Sequence, residues 1–408
     1  MSSLADTRPI LGSEAGSSLP GPDWRVVGPA AVLVFGGAAA LVAEFGWREA
    51  GLYLLGGALG LVLYHATFGF ASSWRRFLTE GRGAGLRAQL LMLALATAIF
   101  FPVLADGSLF GRSVGGAVAP VGVSVMIGAF LFGLGMQLGG GCASGTLYSV
   151  GGGSTRMVVT LLFFMVGSLI GTAHLPWWLG QPSLGSISLP RELGLTPALG
   201  LQLAVFAAIA LGSLIWERRR HGRKEARADY ALPLSRRLLQ GPWPLLWGAV
   251  LLALLNVATL GLAGHPWTVS FGYTLWGAKA ASAAGIDVGT WAFWTWPFPS
   301  RALEGSLFEN STSLMNFGIL VGAFLAAGLA GKFAPARSIP LGSVLAAVLG
   351  GLLMGYGARL AFGCNVGAYF SGIASGSLHG WLWFAAALVG TYGGARLRPL
   401  FGLDPKPN

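Results

Sequence analysis

Charge is scarce in this chain. Only 10% of its 408 residues are Asp, Glu, Lys or Arg, against 54% hydrophobic residues; an ordinary soluble domain carries about 25% charged residues. That deficit excludes a solvated globular surface over most of the length. Cysteine is rarer still, with two in the whole sequence, so there is no disulfide framework to read. No carboxylate lies inside any long apolar run, and Glu44 sits at the end of one. Proton-coupled transporters often place an acid at such depth, so its absence disfavours a proton-driven mechanism. His65, His174, His221, His265 and His379 are scattered near run ends or in loops without metal-ligand spacing. With no histidine beside either cysteine, neither a zinc site nor any other metal or cofactor is expected.

What is present is apolar and rich in glycine. The apolar residues come in blocks of roughly 16 to 24, enough for a helix to cross a bilayer core of about 30 Å. The expected fold class is all-α: a polytopic membrane protein of about ten spanning helices. They fall near 26–44, 50–66, 86–105, 121–139, 157–173, 198–216, 243–264, 312–331, 342–360 and 378–395. The 65 glycines let helices approach closely and mark backbone that leaves helical geometry. A net charge of +11 does not point to nucleic acid, because the basic residues gather in loops such as 217–227. Cytoplasmic loops are enriched in Lys and Arg. With the N-terminus inside, Arg75, Arg76, Arg82, Arg87, the cluster from Arg218 to Arg237, Lys332, Arg337, Arg396, Arg398 and Lys406 all fall inside. Both termini are therefore expected in the cytoplasm. Residues 1–24 read as a disordered cytoplasmic tail, since no basic region directly precedes the first apolar run as in a signal peptide.

The two cysteines sit at matching places. Gly133, Gly135, Leu138, Gly141, Cys142 and Gly145 fall, at one constant offset, on Gly355, Gly357, Leu360, Gly363, Cys364 and Gly367. A second match pairs Thr67-Phe-Gly-Phe70 with Ser270-Phe-Gly-Tyr273. Each half thus reads helix, aromatic-glycine break, two helices, glycine-cysteine break, helix. The expected organisation is a tail over 1–24, a first spanning helix over 25–49, and repeat 1 over 50–173. A linking helix and basic loop follow over 174–242, then repeat 2 over 243–395 and a cytoplasmic tail over 396–408. Four helices plus one make an odd number, so the second repeat enters the membrane inverted, as in many transporters. The segments after Cys142 (143–155) and Cys364 (365–377) are too short and polar to span. They read as re-entrant half-helices starting at or near each cysteine, tip to tip like an hourglass.

Helix N-termini offer unpaired N–H groups and partial positive charge, a ready anion site. Gly141, Gly145, Gly363 and Gly367 let a ligand approach the backbone, while Ser144, Thr146 and Asn365 add neutral donors. A thiol is a weak donor and a soft, polarizable partner. The set suits an anion carrying a soft sulfur atom and suits a hard cation poorly. Buried packing is the ordinary fate of a free cysteine, but duplication in halves that share few other identities favours a path role for Cys142 and Cys364. The aromatic run 291–298 reads as interface anchoring, and the polar run 309–316 as a vestibule lining or a helix cap.

At these residues the chain resembles the YeeE/YedE family of bacterial membrane proteins, which includes thiosulfate-uptake transporters. The resemblance rests on Phe-Gly-Phe-x-Ser-x-Trp-Arg-Arg (68–76), Gly-Gly-Gly-Cys-Ala-Ser-Gly-Thr (139–146), Phe-Glu-Asn-Ser-Thr-Ser-Leu-Met-Asn-Phe-Gly (308–318) and Gly-Cys-Asn-Val-Gly (363–367). It implies an hourglass of inverted repeats in a bacterial inner membrane. It also implies that Cys142 and Cys364 contact the sulfur substrate in turn through S···H–S hydrogen bonds. Some members carry a third path cysteine nearer the N-terminus; this chain has none. Others are linked to selenium or other sulfur compounds. The function expected is import of thiosulfate or a related small sulfur anion, not an enzymatic reaction, with a cytoplasmic sulfur-carrier or sulfurtransferase protein as a candidate partner. Two rivals stay open: a membrane sulfurtransferase forming a Cys persulfide, and a channel with structural cysteines.

Overall fold

The computed structural model describes residues 21–222 and 233–403. Most of the expected N-terminal tail, part of the basic loop and Lys406 lie outside those residues. In chain order the elements are α1 (Trp24–Glu44), α2 (Trp47–His65), α3 (Phe70–Arg75, continued by a π turn over Arg76–Glu80), α4 (Ala84–Asp106), α5 (Val123–Gly139), α6 (Ala143–Gly151) and α7 (Thr155–Leu179). Then follow α8 (Leu189–Leu193), α9 (Leu195–His221), α10 (Leu234–Gln240), α11 (Leu245–Ala263), α12 (Ser270–Ala283), α13 (Pro297–Glu304), α14 (Ser311–Leu329) and α15 (Leu341–Leu360). A π turn over Asn365–Phe370 runs into α16 (Ser371–Ala374), and α17 (Leu378–Leu397) closes the chain. Among the described residues, sheet is confined to two small antiparallel pairs in the connections.

Nine helical stretches among the described residues are long and apolar enough to cross a membrane. The expected tenth, α17, has the length at 20 residues but is diluted by glycines, Tyr392, His379 and two tryptophans. It is held by packing against α5 rather than by its own hydropathy. The protein is an all-α polytopic membrane protein. Outward side chains of α1 (Val32, Leu33, Phe35, Val42) and α9 (Leu201, Leu203, Leu211, Ile215) stay exposed, as expected of helix faces turned to hydrocarbon.

The sequence offset reappears in the packing. Helix α5 lies against α17 and α15 against α7; α2 lies against α14 and α11 against α4; α5 and α15 cross each other. Such reciprocal pairing is the signature of a two-fold relation. Glycines make it possible. A Cβ on Gly133 would stand 2.1 Å from the carbonyl oxygen of Ala387, and one on Gly355 would stand 2.2 Å from that of Phe164. At the central crossing Gly135 meets Gly350 O, and Gly357 meets Gly128 O. Helices α1 and α9, which fall outside the repeats read from sequence, also take matching places, α1 along α14 and α9 along α4.

One end of the bundle is basic, carrying Arg76, Arg82, Arg87 and the last turn of α9. Glu217 is fully buried there and pairs with Arg87 at 2.7 Å and Arg82 at 3.5 Å. It also accepts from the Gly83 N–H, which clamps α9 to the start of α4. The opposite end is capped by residues 285–310. Phe293 and Trp294 fold inward there, and Trp294 donates to Thr172 Oγ1 at 3.2 Å. That differs from the interface anchoring expected of the run, because these two rings form the cap's own core.

Candidate functional site

Each cysteine caps the start of a short buried helix. Cys142 is the N-cap of α6 with extended backbone (φ −78, ψ −173), and its Sγ accepts from the Gly145 N–H at 3.4 Å. Cys364 is the N-cap of the π turn (φ −103, ψ −167), its Sγ accepting from the Val366 N–H at 3.4 Å. Thiols replace the Ser, Thr, Asn or Asp that usually caps a helix, so the backbone donors at both starts are met only by weak acceptors. Both residues are buried, and both thiols are free. The two half-helices touch each other at the centre of the bundle.

How the chain reaches each thiol explains the glycines. α5 ends through Gly140 at φ 93, where a Cβ would stand 2.3 Å from Arg156 Nη1. α15 ends through Phe362 at φ 57 and Gly363 at φ 153, where a Cβ would stand 2.7 Å from the Ala368 amide nitrogen. A left-handed step just before the cysteine turns the chain back into the bundle, and glycine takes it without strain. At Gly141 a Cβ would lie 3.1 Å from Met157 Cε, at Gly145 3.4 Å from Cys142 Sγ, and at Gly367 3.0 Å from Thr268 Oγ1.

The neutral donors are placed unequally. Ser144 Oγ stands 3.4 Å from Cys142 Sγ. Thr146 directs its hydroxyl at the carbonyl of Cys142, 2.9 Å away. Asn365 is fully buried, and neither Nδ2 nor Oδ1 has a partner. Tyr369 Oη and Trp267 Nε1 are buried without partners as well. Buried polar groups are nearly always hydrogen-bonded, so these orphaned groups, Asn365 and Tyr369 on the turn that Cys364 caps and Trp267 bonded through its carbonyl to Ser371 of α16, mark the second half-helix as fitted for a polar guest. The sequence drew attention to Asn365, and to Tyr273 only as part of the repeated aromatic-glycine break, but not to Trp267 or Tyr369. Tyr273, in α12, donates to the carbonyl of Ala143 at 2.8 Å, tying the second aromatic break to the first half-helix. Its repeat counterpart Phe70 packs edge-on against Tyr369 at 6.1 Å.

The other motifs have mainly structural partners. Phe68 is buried edge-on to Phe70. Asn310 caps α14 by accepting from the Ser313 N–H at 2.9 Å, and Asn316 donates to the carbonyl of Val269 at 3.0 Å, bracing the second aromatic break. His65 and His379 are buried. No group of three or more His, Cys, Asp or Glu side chains among the described residues is arranged to hold a metal ion.

Fold and site together define a polytopic helical membrane protein with two thiols at the starts of facing half-helices. The chain belongs to the sulphur transport family, YeeE/YedE, which it matches over residues 65–393. It is similar to the thiosulfate transporter TsuA of Spirochaeta thermophila, 29% identical over 81% of this chain and 92% of that protein. TsuA of Escherichia coli is 24% identical over 83% of this chain and 91% of its own. The probable transporter YedE of Escherichia coli is 31% identical over 40% of each chain, so the match spans about two fifths of that relative's length.

Proposed function

We propose that the protein imports a small sulfur-containing anion, thiosulfate first, across a bacterial inner membrane. The observation that carries this reading is the pair of buried thiols, each capping the start of a short buried helix. Relatives named as thiosulfate transporters align over more than nine-tenths of their length, which supports the substrate class. The basic end is the cytoplasmic one, by the enrichment of Lys and Arg in cytoplasmic loops, and both termini lie on that side. Substrate then meets Cys364 first, on the half-helix that carries the orphaned polar groups of Asn365 and Tyr369, and Cys142 second. Weak S–H donors hold the terminal sulfur at each station without a covalent bond, so release stays fast. Among the described residues, the groups bonded to the two sulfurs are the Ser144 hydroxyl and backbone amides, not the cation or general base that a persulfide-forming thiolate needs.

Labelled-thiosulfate uptake by proteoliposomes, with labelled sulfate as control, tests the reading. Selective uptake without added enzyme is expected, with no mass added to either cysteine after exposure. Equal entry of both anions, or a stable added sulfur on Cys142 or Cys364, would overturn it.

A further inference from the structure

Between α12, α15 and the cap over residues 285–310 lies a cavity of about 460 Å³. Phe271, Phe293, Trp296 and Phe298 line it, and two arginines face it, Arg301 from α13 and Arg359 from the last turn of α15. The two differ. Arg301 lies at the exposed rim and donates to the carbonyl of Pro297. Arg359 has its Nε and Nη1 buried without a hydrogen-bond partner; its stem packs against Gly171 of α7, and the Phe293 ring lies 5.1 Å from the guanidinium carbon. Among the described residues, no carboxylate lines the cavity. A guanidinium stays protonated in proteins, and a buried charge without a counter-charge is strongly disfavoured.

The repeat sharpens the anomaly. At the constant offset, Arg359 corresponds to Gln137 on α5. Gln137 is buried and donates through Nε2 to the carbonyl of Ala71 at 3.0 Å, bracing the first break. Scaffold geometry therefore accepts a neutral amide in this slot. The second repeat places a cation there, beside a cavity and in the turn that leads to Cys364.

We propose that Arg359 is the anion-capture residue of the outer cavity, binding the oxygen face of a small tetrahedral sulfur oxyanion before it reaches Cys364. This rests on the import reading above and adds a station ahead of the thiols. The planar fork matches two oxygens of one anion, which a lysine's point charge does not. The aromatic walls leave a soft terminal sulfur unopposed and keep the guanidinium poorly hydrated. Sulfate has the same oxygen face and competes at this site, so discrimination between the two anions belongs to the thiols further in.

The test replaces Arg359 with the residue its repeat counterpart carries. In Arg359→Gln, KM for thiosulfate uptake should rise at least about tenfold with Vmax nearly kept, the pattern of lost capture rather than lost chemistry along the path. Inhibition by sulfate should weaken in parallel. Labelled-thiosulfate binding to purified protein should be lost in Arg359→Gln and kept in Cys142→Ala/Cys364→Ala. An unchanged KM in Arg359→Gln beside an active wild type overturns the capture site while leaving the import reading standing. A wild type that binds thiosulfate through Arg359 but takes none up overturns the import reading alone. If Arg359→Gln fails to insert, Arg359→Lys decides: a raised KM supports recognition by the fork, and wild-type KM and sulfate inhibition overturn it.

Discussion

At the Cys142 break the arginines act on protein. Arg156 donates to the carbonyl of Leu138, and Arg398 to that of Gln137, so the C-terminal carbonyls of α5 are met by cations at the basic end. At the Cys364 break the same job falls to a hydroxyl: Ser124 donates to the carbonyl of Leu360 at 2.6 Å. Arg359 is thereby left over, facing a cavity. The first half-helix is a regular α-helix whose thiol has a hydroxyl neighbour in Ser144; the second is a π turn whose Asn365 has none. A duplicated scaffold thus carries unequal unpaired polar capacity: Gln137 Oε1 at the Cys142 break, against Asn365, Tyr369 and Arg359 at the Cys364 break. On the import reading proposed above, that asymmetry distinguishes a side that receives from a side that releases.

The strongest attack on the comparison removes the thiols one at a time. Cys142→Ala and Cys364→Ala should each lower thiosulfate uptake at least about tenfold, roughly 1.4 kcal/mol of lost transition-state stabilisation, with the protein still inserted. Equal losses mean two equivalent stations. Normal uptake in either variant removes that thiol from the path and leaves its break a packing device. Next come the glycines that make the halves superimposable. Gly133→Ala and Gly355→Ala push a methyl onto equivalent carbonyls, of Ala387 and Phe164, and should each destabilise by about 3 kcal/mol. Thermal unfolding in detergent reads this directly. A variant that unfolds like wild type would show its crossing to be looser than its counterpart.

Glu217 tests a contact that has no repeat counterpart. Its carboxylate is fully buried while Arg82 and Arg87 keep about a quarter of their side chains exposed (25% and 23%). Glu217→Gln keeps the shape and removes the charge. Because both arginines still reach solvent, the loss should be about 2 kcal/mol, short of the full penalty for stranding a buried ion. An unfolding midpoint equal to wild type would mean that packing alone holds α9 on α4.

Much of this was legible in the sequence, and the remainder was hidden for identifiable reasons. The spans followed from apolar run length, and the half-helix starts from a cysteine set between glycines at a repeated spacing, which required no tertiary information. α17 was readable by position in the repeat although its hydropathy is weak. The cavity beside Arg359 was not readable, because Phe293, Trp296 and Phe298 reach it from a loop far along the chain and their composition reads equally well as interface anchoring. Glu217 was unremarkable as one acid in a basic run; only the fold brings Arg82, Arg87 and the Gly83 amide around it. Tyr273 differed from Phe70 by one hydroxyl, and its acceptor lies in the other half of the chain.

That hydroxyl carries the smallest expected effect and the finest comparison. Tyr273→Phe gives both aromatic breaks the same residue. The ring should keep its edge contact with Phe164, 4.7 Å away, so the change isolates the hydrogen bond to the Ala143 carbonyl. A single neutral hydrogen bond of this kind contributes about 0.5–1.5 kcal/mol, and the lower unfolding midpoint should reflect a loss in that range with uptake kinetics unchanged. That result makes Tyr273 a tie holding α6 against the second break, an asymmetry of structure rather than of transport. The opposite split, with wild-type stability and a raised KM or lowered Vmax, would show the hydroxyl serving the anion. Tyr273 would then join Asn365, Trp267 and Tyr369 among the polar groups that the import reading assigns to the anion. Either outcome assigns the hydrogen bond by which the second repeat's aromatic break reaches the first repeat's half-helix.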